Sequence, residues 1–233
     1  MMQYGMPTSA SRPRAEVVNE FLRGVYGWMS GGMLLTAGVA WATVNIQPLL
    51  QFAVNSMLFL ILAELGLVFF LSMGIRKMSP TTAMASFLGY SALNGLTLSP
   101  ILLVYTQQSI AATFVVTAGM FGAMSAYGLL TKKDLTSWGS LLFMGLIGIV
   151  LASVVNIFLG SATMGFVISG IGVLVFLGLT AYDTQQLKVM GDTASGGGDA
   201  AIRKMTILGA LKLYLDFINL FLFLLRFMGV ARD

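Results

Sequence analysis

The chain contains neither cysteine nor histidine in its 233 residues. That double absence rules out a disulfide framework, a thiol redox centre, a Cys- or His-ligated zinc site and a Ser–His–Asp triad. Intramembrane proteases of the rhomboid and HExxH types are excluded with them, since both need histidine. Charge is scarce too: 9% of residues are Asp, Glu, Lys or Arg, where a soluble domain carries about 25%. Carboxylates, hydroxyls, amides and a few cations are all that remains for chemistry, and no enzyme is expected from them.

Hydrophobic residues make up 57% of the chain, and the mean hydropathy is +0.88. Apolar runs exceed the roughly 20 residues that a hydrocarbon core demands and lack the alternation of outer-membrane strands, which predicts an all-α integral membrane protein in a lipid bilayer. Seven transmembrane helices are expected at 24–44, 51–73, 81–105, 110–130, 138–159, 163–183 and 207–228, with six spans plus a re-entrant last segment as the other count. They would form one domain, 23–233, behind a polar tail, 1–22, that lacks the apolar core of a cleaved signal peptide. Net charge is +4, but the basic residues gather in the tail and at Arg76/Lys77, Lys132/Lys133 and Lys188/Arg203/Lys204, leaving alternate loops bare. They read as topology signals and not as a nucleic-acid surface. The positive-inside rule then places the N-terminus in the cytoplasm and the C-terminus outside.

Small residues at helical spacing suggest where spans pack: Gly27 and Gly31 in the first, Ala118, Gly122 and Ala126 in the fourth. Residues 45–50, with Pro48, read as a turn, and Gly95 and Pro100 are expected to interrupt the third span. Ser153 and Asn156 stand three residues apart in the fifth. The glycine cluster between Gly191 and Asp199 lacks the Gly-Lys-Ser/Thr of a phosphate loop and reads as a flexible linker.

The last span carries Lys212, Asp216, Asn219 and Arg226. At 100° per residue, Lys212, Asn219 and Arg226 fall roughly 40°, 60° and 80° to one side of Asp216. An ionised side chain in mid-bilayer costs at least about 2.5–3.5 kcal/mol, so this polar stripe should face protein or a wet cavity, and the helix should be central. Two further acids belong to spans: Glu64 near the middle of the second and Asp183 closing the sixth. Antiparallel pairing of the last two helices would bring Asp183 and Asp216 together. Two close carboxylates share a proton and titrate as a pair, a device suited to proton sensing, cation binding or acid/base chemistry.

Three motifs in this region, Ala181-Tyr182-Asp183-Thr184-Gln185, Leu213-Tyr214-Leu215-Asp216-Phe217-Ile218-Asn219-Leu220-Phe221 and Leu224-Leu225-Arg226, resemble the Bax-inhibitor-motif family. More narrowly, the chain is similar to bacterial inner-membrane members of that family from about Arg23 onward. The resemblance implies three antiparallel helix pairs around a central seventh helix, and a monomeric, pH-sensitive calcium leak. It also implies that Asp183 faces Asp216, that Arg76 competes for Asp183 as a latch in the closed form, and that Glu64 and Arg226 help hold the outer side shut. Two carboxylates fall short of the 6–8 oxygens Ca²⁺ prefers, so Asn219 and Tyr214 are candidate accessory ligands for a weakly held, permeating ion. No cofactor is expected beyond that ion and protons. The Gly-rich loop looks longer than in the best-understood bacterial pattern, and the basic C-terminal tail of many eukaryotic members is missing.

Three other readings stay open. Tyr182-Asp183 with Asp216 has the outline of an intramembrane aspartyl protease, but those enzymes carry Gly-x-Gly-Asp where this chain has the bulky Leu213-Tyr214-Leu215-Asp216. A non-conducting modulator of membrane-protein quality control would engage a membrane protease through the tail or the Gly-rich loop. A proton-coupled solute carrier would need a larger polar midplane site than Glu64, Asn94 and Asn156 suggest.

Overall fold

The computed structural model describes residues 14–194 and 198–232. Among them are nine helices: α1 (Arg14–Asn45), α2 (Gln47–Asn55), α3 (Met57–Gly74), α4 (Pro80–Leu98), α5 (Ile101–Val104), α6 (Gln107–Leu130), α7 (Thr136–Leu159), α8 (Ala162–Ala194) and α9 (Gly198–Met228). Six spans are long and apolar enough to cross a membrane: α3, α4 with α5, α6, α7, α8 and α9. Helices α1 and α2 are long and apolar enough only when taken together, are bent by 107° at their junction, and bring the count to seven if the bent pair is one span. Helix ends are marked by local chemistry. Ser79 accepts from the Thr82 N–H ahead of Pro80, Thr106 accepts from Ser109 N–H at the start of α6, and Gly160, at φ 62, closes α7.

The expected all-α membrane architecture is present, with the last helix at its centre. In α9, 61% of the apolar stretch is buried, against 33% or less in the other spans. It packs against α1, α4, α6 and α8. Helix α3 lies outside α4, and α7 lies outside α8. These are antiparallel neighbours of the expected kind, whereas α1 packs chiefly on α4 and α9, and α6 on α8 and α9.

Several local expectations are corrected. Residues 14–22, read as part of the tail, continue α1, because Val18, Phe21 and Val25 recur at helical spacing and are buried. Residues 1–13 lie outside the described residues. The Gly-rich linker is mostly helix: α8 runs on to Ala194 and α9 starts at Gly198, with 195–197 outside the described residues. Pro48 opens the short helix α2 instead of a plain turn. Gly95 does not interrupt its span. It lies inside α4, where a Cβ would come within 2.7 Å of the Thr36 carbonyl of α1, and the break falls at Ser99 and Pro100.

The small-residue stripes also turn the other way. Gly27 and Gly31 face open space, and the close approaches of α1 are made by Gly24 to Thr206 and by Gly32 to Phe87 and Ser91. Ala118, Gly122 and Ala126 are exposed. The packing face of α6 is instead Thr113, Thr117, Phe121, Ser125 and Gly128. Beyond α9 the chain is tied back to the turn before α6: Thr106 N–H donates to the Val230 carbonyl at 3.1 Å, and Arg232 N–H donates to that of Val104 at 2.8 Å.

Candidate functional site

Close packing of α8 on α9 creates the first site. Two glycines permit it: a Cβ on Gly209 would come within 2.6 Å of Leu187, and one on Gly172 within 2.6 Å of Phe223. The resulting antiparallel register sets Lys212 opposite Asp183. Lys212 Nζ donates to Asp183 Oδ1 at 3.2 Å, with side-chain exposures of 39% and 13%. Asp216 stands one turn further along α9 and is only 5% exposed. Its charged neighbours are Asp183 and Lys212, and its Oδ2 is buried without a hydrogen-bond partner among the described residues.

The residues flanking Asp183 anchor it from the other side. Gly128 of α6 packs against the Ala181 carbonyl, and Tyr182 lies over Gly139 of α7. Thr184 donates to Ser125 Oγ at 3.4 Å. Gln185 accepts from Leu135 N–H at 2.8 Å and donates to the Lys133 carbonyl at 2.9 Å. Each neighbour of Asp183 in the 181–185 motif thus ties α8 to α6, α7 or the loop between them, so the motif fixes where the carboxylate sits.

A second polar cluster lies across α9. Tyr214 is fully buried, with its hydroxyl 2.6 Å from Thr36 Oγ1 and donating to Asn94 Oδ1 at 3.2 Å. Its ring meets Phe87 and Tyr90 edge-on. Asn94 Nδ2 donates to Glu64 Oε2 at 3.4 Å, and Thr97 donates to Glu64 Oε1 at 2.7 Å. A cavity of about 440 Å³ opens beside Glu64, and Asn219 lines it.

Several expected pairings are not formed in this structure. Arg76 makes no ion pair with Asp183: α3 packs on α4 and α2, Arg76 is exposed, and its carbonyl receives Lys204 Nζ at 3.1 Å. Lys212 holds the place assigned to that latch. Glu64 and Arg226, each expected to help hold the outer side shut, make no ion pair with one another. The Arg226 guanidinium lies over Gly165 at the start of α8, where a Cβ would come within 2.6 Å of Nη2. Tyr214 belongs to the Glu64 cluster and not to the aspartate pair. Asn219 donates to the Leu215 carbonyl on its own helix at 2.8 Å.

Compared with known families, residues 18–233 match the one described as inhibitor of apoptosis-promoting Bax1. The chain belongs to the Bax inhibitor-like family. Among its relatives, the inner membrane protein YbhL of Escherichia coli (strain K12) is 52% identical over the whole of both chains. An uncharacterized protein of Borreliella burgdorferi is 49% identical over 93% of this chain and 94% of its own. The uncharacterized protein RP147 of Rickettsia prowazekii is 43% identical over 97% and 96%.

In this Bax inhibitor-like chain the two motif aspartates are brought to one place, as the antiparallel pairing of α8 and α9 requires. The contact of Lys212 with Asp183 was missed, although the polar stripe contained Lys212, because a stripe gives the face of a helix and not its partner. The hydrogen-bonding task of Gln185 had no signal beyond its adjacency to Asp183. Among the described residues no cluster of three or more acidic or other ligating side chains exists.

Proposed function

We propose that this protein is a pH-sensitive cation leak of a bacterial inner membrane, with the N-terminus and the basic loops on the cytoplasmic side. Asp183 and Asp216 are its proton- and cation-binding pair, and Lys212 is the counter-ion that keeps it shut. The observation that carries this reading is the contact of Lys212 with Asp183 at 3.2 Å, beside a buried Asp216 whose Oδ2 has no hydrogen-bond partner among the described residues. A lysine on a flexible stem is a displaceable point charge. Its side chain is the more exposed member of the pair, so it has room to swing away from Asp183.

Once it withdraws, two carboxylates face a site that a divalent cation can enter. Ca²⁺ is the cation named for it, completed by water or backbone carbonyls and held weakly enough to pass. Proton uptake by the pair removes the charge that retains Lys212. The leak therefore rises as pH falls, until both acids are neutral and no longer attract a cation.

The test is Ca²⁺ entry into dye-loaded liposomes containing the purified full chain, from about pH 8 to about pH 5, a range that brackets two acids sharing a proton. Asp183→Asn and Asp216→Asn should each change the flux and flatten its pH dependence. Flux equal to that of empty liposomes at every pH would defeat the proposal.

A further inference from the structure

The Glu64 cavity is separate from the aspartate pair and has a different chemistry. It holds one carboxylate, the hydroxyls of Tyr90 and Thr97 and the amides of Asn94 and Asn219. Most of the remaining wall is aliphatic, including Ile61, Leu65, Leu215 and Leu222. Among the described residues Glu64 makes no ion pair, since Arg226 lies against α8. Thr97 and Asn94 take one position on each carboxylate oxygen. A carboxylate has about four acceptor sites, which leaves two for a ligand.

A single negative charge with neutral oxygens beside it matches a monocation. At about 440 Å³ the cavity is far larger than a bare ion and falls in the range of small-molecule sites, about 300–1,000 Å³. Its aliphatic walls would face a metal ion with nothing to coordinate. They suit the carbon portion of an organic cation, and the Tyr90 ring adds an aromatic face. Ile61 and Leu65 are 42% and 51% exposed on the lipid side of α3, so the cavity opens toward the acyl chains. Glu64 is seven residues into α3, about 10 Å along its axis, which is deep for a lipid headgroup and reachable by a slim amphiphile.

We propose that this cavity is a binding site for an amphiphilic organic ammonium ion, with its N–H groups on Glu64 and its hydrocarbon chain between Ile61, Leu65 and Leu222. The site is independent of the aspartate pair and stands whether or not the protein conducts.

The probe is n-hexylammonium, with n-hexanol as the uncharged match, titrated onto the full chain in phosphatidylcholine/phosphatidylglycerol nanodiscs while thermal unfolding is followed. At ten times its dissociation constant hexylammonium should raise the unfolding temperature by about 3–6 °C. Hexanol should not reproduce the rise. Asp216→Asn should keep the response, and Glu64→Gln should weaken the affinity at least about tenfold.

A parallel measurement needs no variant: labelling of Glu64 by a hydrophobic carbodiimide, mapped by mass spectrometry, should be suppressed by hexylammonium and not by hexanol. Nanodiscs containing phosphatidylethanolamine distinguish the source of the ammonium. A weakened hexylammonium titration there assigns the lipid as resident ligand, and an unchanged one assigns a free amine. Equal responses to amine and alcohol, or undiminished labelling of Glu64, would overturn the site.

Discussion

Replacing Lys212 with Met keeps an unbranched side chain one atom shorter and removes the charge that faces Asp183. At 3.2 Å a unit pair is worth about 5 kcal/mol in an effective dielectric of about 20. Lys212 is 39% exposed, so part of that attraction is lost to its surroundings, and burying Asp183 costs more of it. About 1–2 kcal/mol remains. If this contact holds the closed state, its loss shifts the closed-to-open ratio by roughly fivefold to thirtyfold. Resting Ca²⁺ entry into liposomes at neutral pH should rise by that factor in Lys212→Met. Arg76→Ala, which removes no partner of Asp183, should stay within about twofold of wild type, as expected for an exposed cation. A leak raised by Arg76→Ala and unchanged by Lys212→Met would refute the lysine latch and restore the arginine one.

Tyr214→Phe deletes the hydroxyl that contacts Thr36 and Asn94 and leaves the buried Asn94 Oδ1 without that donor, while Thr36 keeps the Gly32 and Ser91 carbonyls. It should destabilise the fold by about 1–3 kcal/mol, read as a lower unfolding temperature in detergent. A Cβ at Gly128 would collide with the Ala181 carbonyl, so Gly128→Ala should cost about 1–3 kcal/mol. Gly122→Ala, which meets open space, should stay within about 0.5 kcal/mol by the same assay. In the loop before α7, the Asp134 carboxylate is held below its ordinary range by the Thr136 hydroxyl and backbone N–H. A depressed folded-state value means the contribution is present at neutral pH and is lost as pH falls through that value. Amide exchange at the start of α7, corrected for intrinsic rates, should therefore quicken in acid, while Asp134→Ala should exchange quickly at both pH values.

Membrane class, helical architecture and the centrality of the last span were legible in the sequence, because each rests on a local regularity. Apolar runs have a length, and a stripe such as Lys212, Asp216, Asn219 and Arg226 has an angle, whatever the rest of the chain does. The meeting of Asp183 with Asp216 was legible to the extent that consecutive helices pair antiparallel. Spacing alone could not say which face of a helix finds a neighbour. Gly27/Gly31 and Ala118/Gly122/Ala126 have the pattern of packing stripes and face outward, while Gly32 and Gly128, without such a pattern, take the close contacts.

Tertiary structure decided which cation meets which acid. Arg76 and Lys212 were both available to Asp183, and the choice follows from α8 packing on α9 while α3 packs on α4 and α2. The same arrangement leaves Glu64 with Thr97 and Asn94 instead of Arg226. Ion pairs between helices depend on distances across the bundle, to within a few ångströms. No periodicity within a single span carries that information.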